Sequence, residues 1–427
     1  MQPTNGKKTL EGRTLYLPRM PYGGARLMAA AFQSIGVEAH PTPESNEYTR
    51  ELGLQYTSGD ECYPEQVTLG DFMRITELPN FEPAKTAFFM PTANGPCRFG
   101  QYAHLQRKVL RENGLNEVLV FSPTSANSYE DIGKGATELM RTGWRALVAS
   151  DILLKMLLKT RPYEVHKGET DRVFEESLDE LSNVIAQRGV GYRRKLREMV
   201  EALTRVRDRF RKIPAAYDKS RPLIGVVGEI FCRLNTFSNS DLIRKIEEQG
   251  GECWLSDVSE WVWYTNYGQQ EDLRFQGKRF SADMVKAKLK THIQRSDEHA
   301  LLEPFREDFR GYEEPEVEEV LEHSLPYLPW YGALGEMVLS TGKAIYLYEK
   351  GADGIVDISP FTCMNGIVCE SLYPDLSREH DHIPIRTFYF DGTQSDLERD
   401  VGIFLELART YQRRKKKERG YPPCFDV

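Results

Sequence analysis

The stretch that decides the fold is Thr92-Ala93-Asn94-Gly95-Pro96-Cys97-Arg98-Phe99-Gly100-Gln101-Tyr102. An apolar run at 87–90 ends just before it, and an amphipathic run at 105–110 begins just after it. This order predicts a strand, a tight turn that lets the backbone approach something bulky, and a helix. Cys97 would stand where the helix begins, and unpaired N–H groups and the helix dipole stabilise a thiolate there.

Two other cysteines have similar surroundings. The sequence Gly59-Asp60-Glu61-Cys62-Tyr63-Pro64 precedes a predicted helix at 65–78. The sequence Ile355-Val356-Asp357-Ile358-Ser359-Pro360-Phe361-Thr362-Cys363-Met364-Asn365-Gly366 ends a predicted strand and opens another helix. We therefore hypothesise that Cys62, Cys97 and Cys363 meet in space and hold an iron–sulfur cluster.

Alternating strands and helices predict an α/β fold with two parallel sheets. The expected strands are 14–18, 37–40, 87–90, 117–121, 223–228, 252–255, 354–358 and 385–390. The expected helices are 25–35, 47–54, 65–78, 99–112, 241–249, 257–264, 274–292, 335–349 and 395–414, with charged helices at 171–187 and 192–212. Residues 297–322 are acidic and receive no assignment.

Three regions follow from this pattern. We expect residues 1–130 to form a first α/β domain with Cys62 and Cys97, and residues 216–427 to form a second one with Cys363. Residues 131–215 are predicted to form a helical insert or linker lobe. Because open α/β sheets bind ligands beyond the carboxyl ends of their strands, we expect the site in a central cleft between the two domains.

Bulk properties narrow the class of protein. The chain has 427 residues and a net charge of −8, which argues against nucleic-acid binding. No run approaches the ~20 apolar residues of a membrane helix, and the N-terminus lacks the apolar core of a signal peptide. A cytoplasmic location is the expectation. Seven cysteines without a Cys-x-x-Cys pair disfavour disulfides and zinc ribbons.

Four strings of the sequence are similar to a known superfamily. They are Asp60-Glu61-Cys62-Tyr63-Pro64, Asn94-Gly95-Pro96-Cys97-Arg98-Phe99-Gly100-Gln101-Tyr102, Gly228-Glu229-Ile230 with Arg233, and Pro360-Phe361-Thr362-Cys363-Met364. They resemble cluster-binding subunits of the 2-hydroxyacyl-CoA dehydratase/benzoyl-CoA reductase superfamily. The branch that looks closest is the group related to CoA protein activase (acyl-CoA dehydratase activase), and the resemblance spans about residues 13–408.

The resemblance implies that the two α/β domains are flavodoxin-like and that this is an oxygen-sensitive protein of anaerobic metabolism. Three cysteines, here Cys62, Cys97 and Cys363, would hold a 4Fe–4S cluster. A separate ATP-dependent activator would supply a low-potential electron for reductive chemistry on a CoA thioester or a related substrate, and related cluster subunits would form a homo- or hetero-oligomer. The chain lacks a Gly-x-x-x-x-Gly-Lys-Ser/Thr loop, so ATP would bind the partner.

Several alternatives remain open at this level. The chain is a dehydratase- or reductase-type catalytic subunit, a non-catalytic electron-transfer subunit of a larger complex, a small-molecule reductase with an 8Fe double-cubane cluster, or a structural zinc protein. No catalytic acid or base is identified.

Further residues near the matched strings carry weaker predictions. Cys232 is a further ligand, a neighbour of the cluster, or a packed thiol. Arg98, Gln101, Glu229 and Arg233 would hydrogen-bond to the cluster, bind substrate phosphates or brace the loops. Cys253 and Cys369 are expected in the core, and Cys424 outside the site.

Overall fold

The computed structural model describes residues 9–92, 95, 97–123, 135–333, 335–393 and 396–426. These residues form two sheets of four parallel strands each, which confirms the predicted α/β class. The first sheet has the order β2-β1-β3-β4, from β1 (Thr14–Leu17), β2 (Glu38–Pro41), β3 (Thr86–Phe89) and β4 (Leu119–Phe121). The second has the order β6-β5-β7-β8, from β5 (Leu223–Gly228), β6 (Glu252–Leu255), β7 (Gly354–Pro360) and β8 (Ile385–Phe390). Both orders match the start of a flavodoxin-like sheet.

Helices follow the strands in both halves. The first sheet is accompanied by α1 (Tyr22–Ser34), α2 (Glu47–Gln55), α3 (Tyr63–Thr76) and α4 (Tyr102–Glu112). Three helices lie between the sheets in the sequence: α5 (Ala136–Thr160), α6 (Glu169–Ile185) and α7 (Tyr192–Arg211). The second half contains α8 (Ile230–Leu234), α9 (Leu242–Glu248), α10 (Ser259–Phe275), α11 (Ala282–Leu302), α12 (Val317–Ser324), α13 (Gly335–Glu349), α14 (Met364–Glu379) and α15 (Leu397–Gln412). Short 3₁₀ turns occupy Pro83–Lys85, Arg98–Gln101, Arg161–Tyr163, Glu303–Phe305 and Pro423–Asp426.

The predicted boundaries were wrong in the helical hairpin of the second half. The expected helices at 257–264 and 274–292 are instead α10, which continues to Phe275, and α11, which begins at Ala282. The polar middle of α10 stays helical because it packs on α11, where the Asn266 amide donates to the Gln294 side-chain oxygen at 2.9 Å. Ser281 caps α11 by accepting the Met284 N–H.

Two other segments differ from expectation. The helix expected from Phe99 starts as the 3₁₀ turn Arg98–Gln101 and becomes α-helical only at Tyr102. The unassigned acidic segment 297–322 contains the end of α11 and most of α12. In the predicted turn, Asn94 and Pro96 lie outside the described residues, whereas Gly95 has a φ of 127°, a left-handed value that favours glycine.

The three helices between the sheets pack on the first sheet. Phe32 of α1, Ile152 of α5 and Leu203 of α7 belong to one continuous cluster of buried side chains, together with Leu15 of β1. The amphipathic pattern of these helices therefore serves a shared core with the first α/β unit.

The same helices hold the second sheet in place. The Asp151 carboxylate of α5 accepts the backbone N–H groups of Val258 and Ser259, just after β6, at 3.2 and 2.9 Å. Arg161 donates to the Glu247 carboxylate of α9 at 2.6 Å. These buried contacts fix the second unit against α5, and so fix the distance between the two strand edges that would form the site.

Glycine permits one close helix contact in this half. At Gly342 of α13, an added Cβ would collide with the backbone carbonyl of Val320 in α12. We expect Gly342→Ala to destabilise the protein by roughly 1–3 kcal/mol. The matched change Gly268→Ala, in α10 with open space around it, should instead stabilise by up to ~1 kcal/mol through helix propensity. Denaturant midpoints of the two variants test this, and equal shifts would contradict it.

Candidate functional site

The three cysteines of the hypothesis share one local geometry. Each is the residue immediately before a helical segment: Cys62 before α3, Cys97 before the 3₁₀ turn that leads into α4, and Cys363 before α14. Their φ and ψ angles are also alike, at −76° and 153°, −68° and 135°, and −67° and 124°. The prediction that each cysteine opens a helix is confirmed.

The sheet topology places these helix starts at equivalent edges. Cys97 follows β3 and Cys363 follows β7, each beside the first strand of its own sheet. The strand order reverses between β1 and β3 in the first sheet and between β5 and β7 in the second. At such a point the connections on the two sides run to opposite faces of the sheet, which leaves a crevice at the carboxyl ends of the strands. Glu229 follows β5 and faces the corresponding crevice of the second sheet.

Arg98 joins the loops that carry the three cysteines. Its Nη1 donates to the backbone carbonyl of Asp60 at 3.0 Å and to the Thr362 hydroxyl at 3.5 Å. Its Nη2 donates to the Thr362 carbonyl at 3.5 Å. Arg98 is adjacent to Cys97, Asp60 is two residues before Cys62, and Thr362 is adjacent to Cys363. One guanidinium therefore brings loops from both sheets together.

The same two causes raise the pKa of all three thiols. Burial is the largest cause of a raised pKa in each thiol, to about 12 for Cys62 and Cys363 and above the ordinary value for Cys97. The Glu229 carboxylate raises the pKa of all three further. Cys97 is the most exposed of the three.

Backbone N–H groups partly oppose this rise. The N–H of Glu65 lowers the pKa of Cys62, that of Phe99 lowers the pKa of Cys97, and those of Gly366 and Asn365 lower the pKa of Cys363. These are first-turn groups of the following helices, as the sequence predicted.

Tyr102 adds a side-chain partner that the sequence analysis did not single out. Its hydroxyl lies 2.5 Å from the Cys62 Sγ, and this contact lowers the pKa of the thiol. Tyr102 belongs to the quoted Gly-Gln-Tyr string, but its distance from Cys62 depends on how α3 and α4 pack.

Two half-buried carboxyl groups lie near the same loops. The Glu229 carboxylate accepts the N–H groups of Phe231 and Cys232 at 3.0 and 2.7 Å. The Glu336 carboxylate accepts the Ile230 N–H at 2.9 Å and the Asn365 amide at 2.8 Å. Burial, followed by the charge of Glu336, raises the pKa of Glu229 to about 8. The sequence missed Glu336 because it begins an apolar helix remote from every cysteine.

Arg233 is the buried cation of this layer. Its charge lowers the pKa of Glu229, Glu260, Glu336 and Asp357, although burial outweighs that effect and leaves the pKa of each raised. Its Nε has no hydrogen-bond partner among the residues that the structure describes. Arg233 therefore offsets the negative charge behind the cysteines.

The other candidate residues differ in how they relate to the three cysteines. Cys232 is fully buried, and its raised pKa, caused first by burial, also reflects the charges of Glu229, Cys363 and Cys62. It thus lies beside the site. Gln101 is exposed, and no hydrogen bond of its side chain is found in the described ranges.

Two of the remaining cysteines have other surroundings, whereas the pKa of Cys369 is raised first by burial and also by Asp357 and Cys363. Cys253 in β6 is buried, and its pKa is raised by burial and Glu247 and lowered by Arg161. Cys369 on α14 is buried and donates to the Met337 carbonyl at 3.4 Å. Cys424 is half-buried beside Tyr217.

The donor set can be compared with what different metals need. In the described part of the chain, no group of three or more His, Cys, Asp or Glu side chains is arranged to hold a metal ion. A zinc ion needs four ligands at about 2.0–2.3 Å, so a zinc site is not preformed. In a four-iron cluster each thiolate binds a different iron, and thiolates are its usual ligands. Cys62, Cys97 and Cys363 are residues of that ligand type, and each lies immediately before a helical segment.

Comparisons with known proteins add no assignment, since no protein-family model matches the chain and a search of curated proteins finds no relative. None of the helices in the described ranges combines the length and apolar character needed to cross a membrane. The superfamily resemblance therefore stays a prediction that rests on the quoted strings.

The raised pKa of Glu229 has a consequence for stability. Its value of about 8 lies above its ordinary value of 4.5, so between these the folded chain keeps a proton that the unfolded chain loses. Stability should fall as pH rises from about 5 to 8. We expect Glu229→Gln to weaken that fall, as measured by denaturant midpoints at both pH values.

Glu319→Gln supplies the control, because Glu319 is exposed on α12. It should keep the wild-type pH dependence. An unchanged pH dependence in Glu229→Gln would contradict the assigned protonation state.

Proposed function

We propose that this chain is a 4Fe–4S protein in which Cys62, Cys97 and Cys363 hold one cluster as thiolates. The observation that carries the proposal is the contact of Arg98, which follows Cys97, with the loops that precede Cys62 and Cys363. Burial keeps these thiols protonated, so iron would have to displace their protons on binding, as metals do at cysteine sites.

The residues around the thiols would set the properties of the bound group. When bound, a cluster held by three thiolates supplies one-electron reduction and one iron open to a substrate oxygen. Arg98 fixes the separation of the loops. Cys62 and Cys363 are partly buried, which limits the access of water to them. Limited access of water favours a low reduction potential.

We further propose that the electron comes from an ATP-dependent activator and is used in reductive chemistry on a CoA thioester or related substrate. An electron donor must reach the cysteine loops, and the surface beside Cys363 is suited to protein contact. Phe361, Met364 and Ile367 are large apolar side chains that are exposed there. The substrate class rests on the superfamily resemblance alone.

The number of nearby thiols favours one cubane over two. A double cubane needs about six thiolates if each half takes three. Cys232 gives this site a fourth thiol and Cys369 a fifth, whereas Cys253 and Cys424 lie among other groups. A double cubane would therefore require thiols from outside this chain.

Anaerobic reconstitution tests the cluster. We expect the wild-type chain to bind about four irons with sulfide, and Cys62→Ser, Cys97→Ser and Cys363→Ser each to lose most of them. Iron, sulfide and zinc analysis with visible and paramagnetic-resonance spectra gives the readout. Cys253→Ser and Cys424→Ser are the matched controls and should bind iron like the wild type.

Two results would overturn the cluster assignment. One is a wild-type chain that binds zinc and no iron–sulfur cluster. The other is full iron content in the Cys62, Cys97 and Cys363 variants.

A second experiment separates a catalytic subunit from an electron carrier. The loaded chain is mixed with a candidate activator, ATP and a panel of CoA thioesters. Turnover by this chain alone with the activator supports catalysis. Reduction of the chain without turnover, and activity only with another cluster subunit, supports the carrier role.

A further inference from the structure

The hairpin of α10 and α11 carries a strongly basic surface in an acidic protein. Residues 274–295, which we call the basic face, contain seven lysines and arginines and one aspartate, a net charge of +6. The whole chain has a net charge of −8, so all other residues together carry −14. Lys278, Lys286 and Lys288 are exposed here.

The next segment carries the opposite charge. Residues 313–322, which we call the acidic face, contain six glutamates and no lysine or arginine, a net charge of −6. Glu314 is engaged by Lys155 and Lys343 in the interior. On the helix α12, Glu318, Glu319 and Glu322 are exposed.

The two faces are neighbours on one surface. Arg295, near the end of the basic face, forms an ion pair with Glu316, which precedes α12. The pKa of Tyr267 in α10 is raised by burial and then by Glu318, and is lowered by Arg274. Charged groups of both signs therefore act on its hydroxyl. The boundary between positive and negative charge therefore runs along the contact of the hairpin with α12.

Exposed apolar side chains lie within and beside both faces. Phe280, at the tip of the hairpin, is 94% exposed, and Val285 and Leu289 stand one turn apart on the outside of α11. Leu325 directly follows α12 and is exposed, as is Tyr331. Large apolar groups exposed among charges are typical of a protein contact.

We propose that this surface is the interface of a two-fold homodimer, in which the basic face of each copy binds the acidic face of the other. A two-fold interface uses the same patch on both subunits, so the patch must be self-complementary. The exposed lysines of the basic face and the exposed glutamates of α12 meet this condition because they are adjacent and opposite in charge, and the apolar side chains supply the water-excluding centre.

Other arrangements of the same surface are less favourable. Packing α11 against α11 of the second copy would oppose lysines to lysines, which costs free energy. A membrane with anionic lipid would attract the basic face but repel the acidic face beside it. The second copy is the occupant that satisfies both faces at once.

A charge-swap experiment tests the interface. One variant reverses the basic face (Lys278→Glu, Lys286→Glu, Lys288→Glu), and the other reverses the acidic face (Glu318→Lys, Glu319→Lys, Glu322→Lys). Each variant alone should be monomeric by sedimentation and native mass spectrometry. An equimolar mixture should restore a 1:1 dimer, because each reversed face then meets a face of opposite charge.

Controls keep the result decisive. Reversal of three exposed arginines of α7 (Arg193→Glu, Arg194→Glu, Arg197→Glu) changes the charge equally and should leave the wild-type dimer intact. Circular dichroism checks folding, and only folded variants can regain dimerisation on mixing. Added salt should weaken the wild-type dimer.

Three results would overturn the proposal. They are a monomeric wild-type chain, two variants that remain dimers alone, and a mixture that stays monomeric although both variants are folded. A monomeric chain that binds vesicles of phosphatidylcholine with phosphatidylserine would assign the basic face to a membrane instead.

Discussion

The arrangement of the site depends on the contact that Arg98 makes across the crevice. Its guanidinium binds one carbonyl before Cys62 and one residue before Cys363, so it links a loop of the first sheet to a loop of the second. Charge-assisted hydrogen bonds of this kind are stronger than neutral ones. Arg98 alone would hold little if the sheets could move apart. The buried bonds of Asp151 and Arg161 prevent this by fixing the second unit on α5.

The protonation of the groups in the crevice follows from burial, because burial disfavours the charged forms of thiols and carboxyl groups. Thiols and carboxyl groups lie together where water is scarce, and burial is the largest cause of the raised pKa in Cys62, Cys363 and Glu229. A second anion in such a place is costly unless a cation joins it. Arg233 provides one cation in the layer behind, and in our proposal iron would provide another.

Charge is distributed unevenly over the rest of the surface as well. A net charge of −8 suggests a uniformly acidic protein, yet the basic face and the acidic face stand next to each other in the second half. The cause is local, because α11 and α12 follow each other closely in the chain and pack beside α10. Net charge therefore describes solubility and long-range repulsion, whereas recognition depends on where the charges lie.

The sequence by itself determined the class of fold and the setting of each cysteine. Apolar runs followed by turn residues and amphipathic segments are local signals, and hydrogen bonding within a helix or along a strand makes them sufficient to place Cys62, Cys97 and Cys363 before helical segments. Such local signals do not predict the C-terminal end of α10, because its polar middle stays helical through packing on α11.

Only the tertiary structure decided what surrounds the cysteines. Glu336 reaches the site, and Tyr102 reaches Cys62, through the packing of helices that are separate in the sequence, and no periodicity marks them in advance. The same holds for Glu229, whose type and position were visible but whose action on three thiols was not. Local sequence sets backbone conformation, whereas the position of a side chain relative to distant groups depends on how the sheets and helices pack.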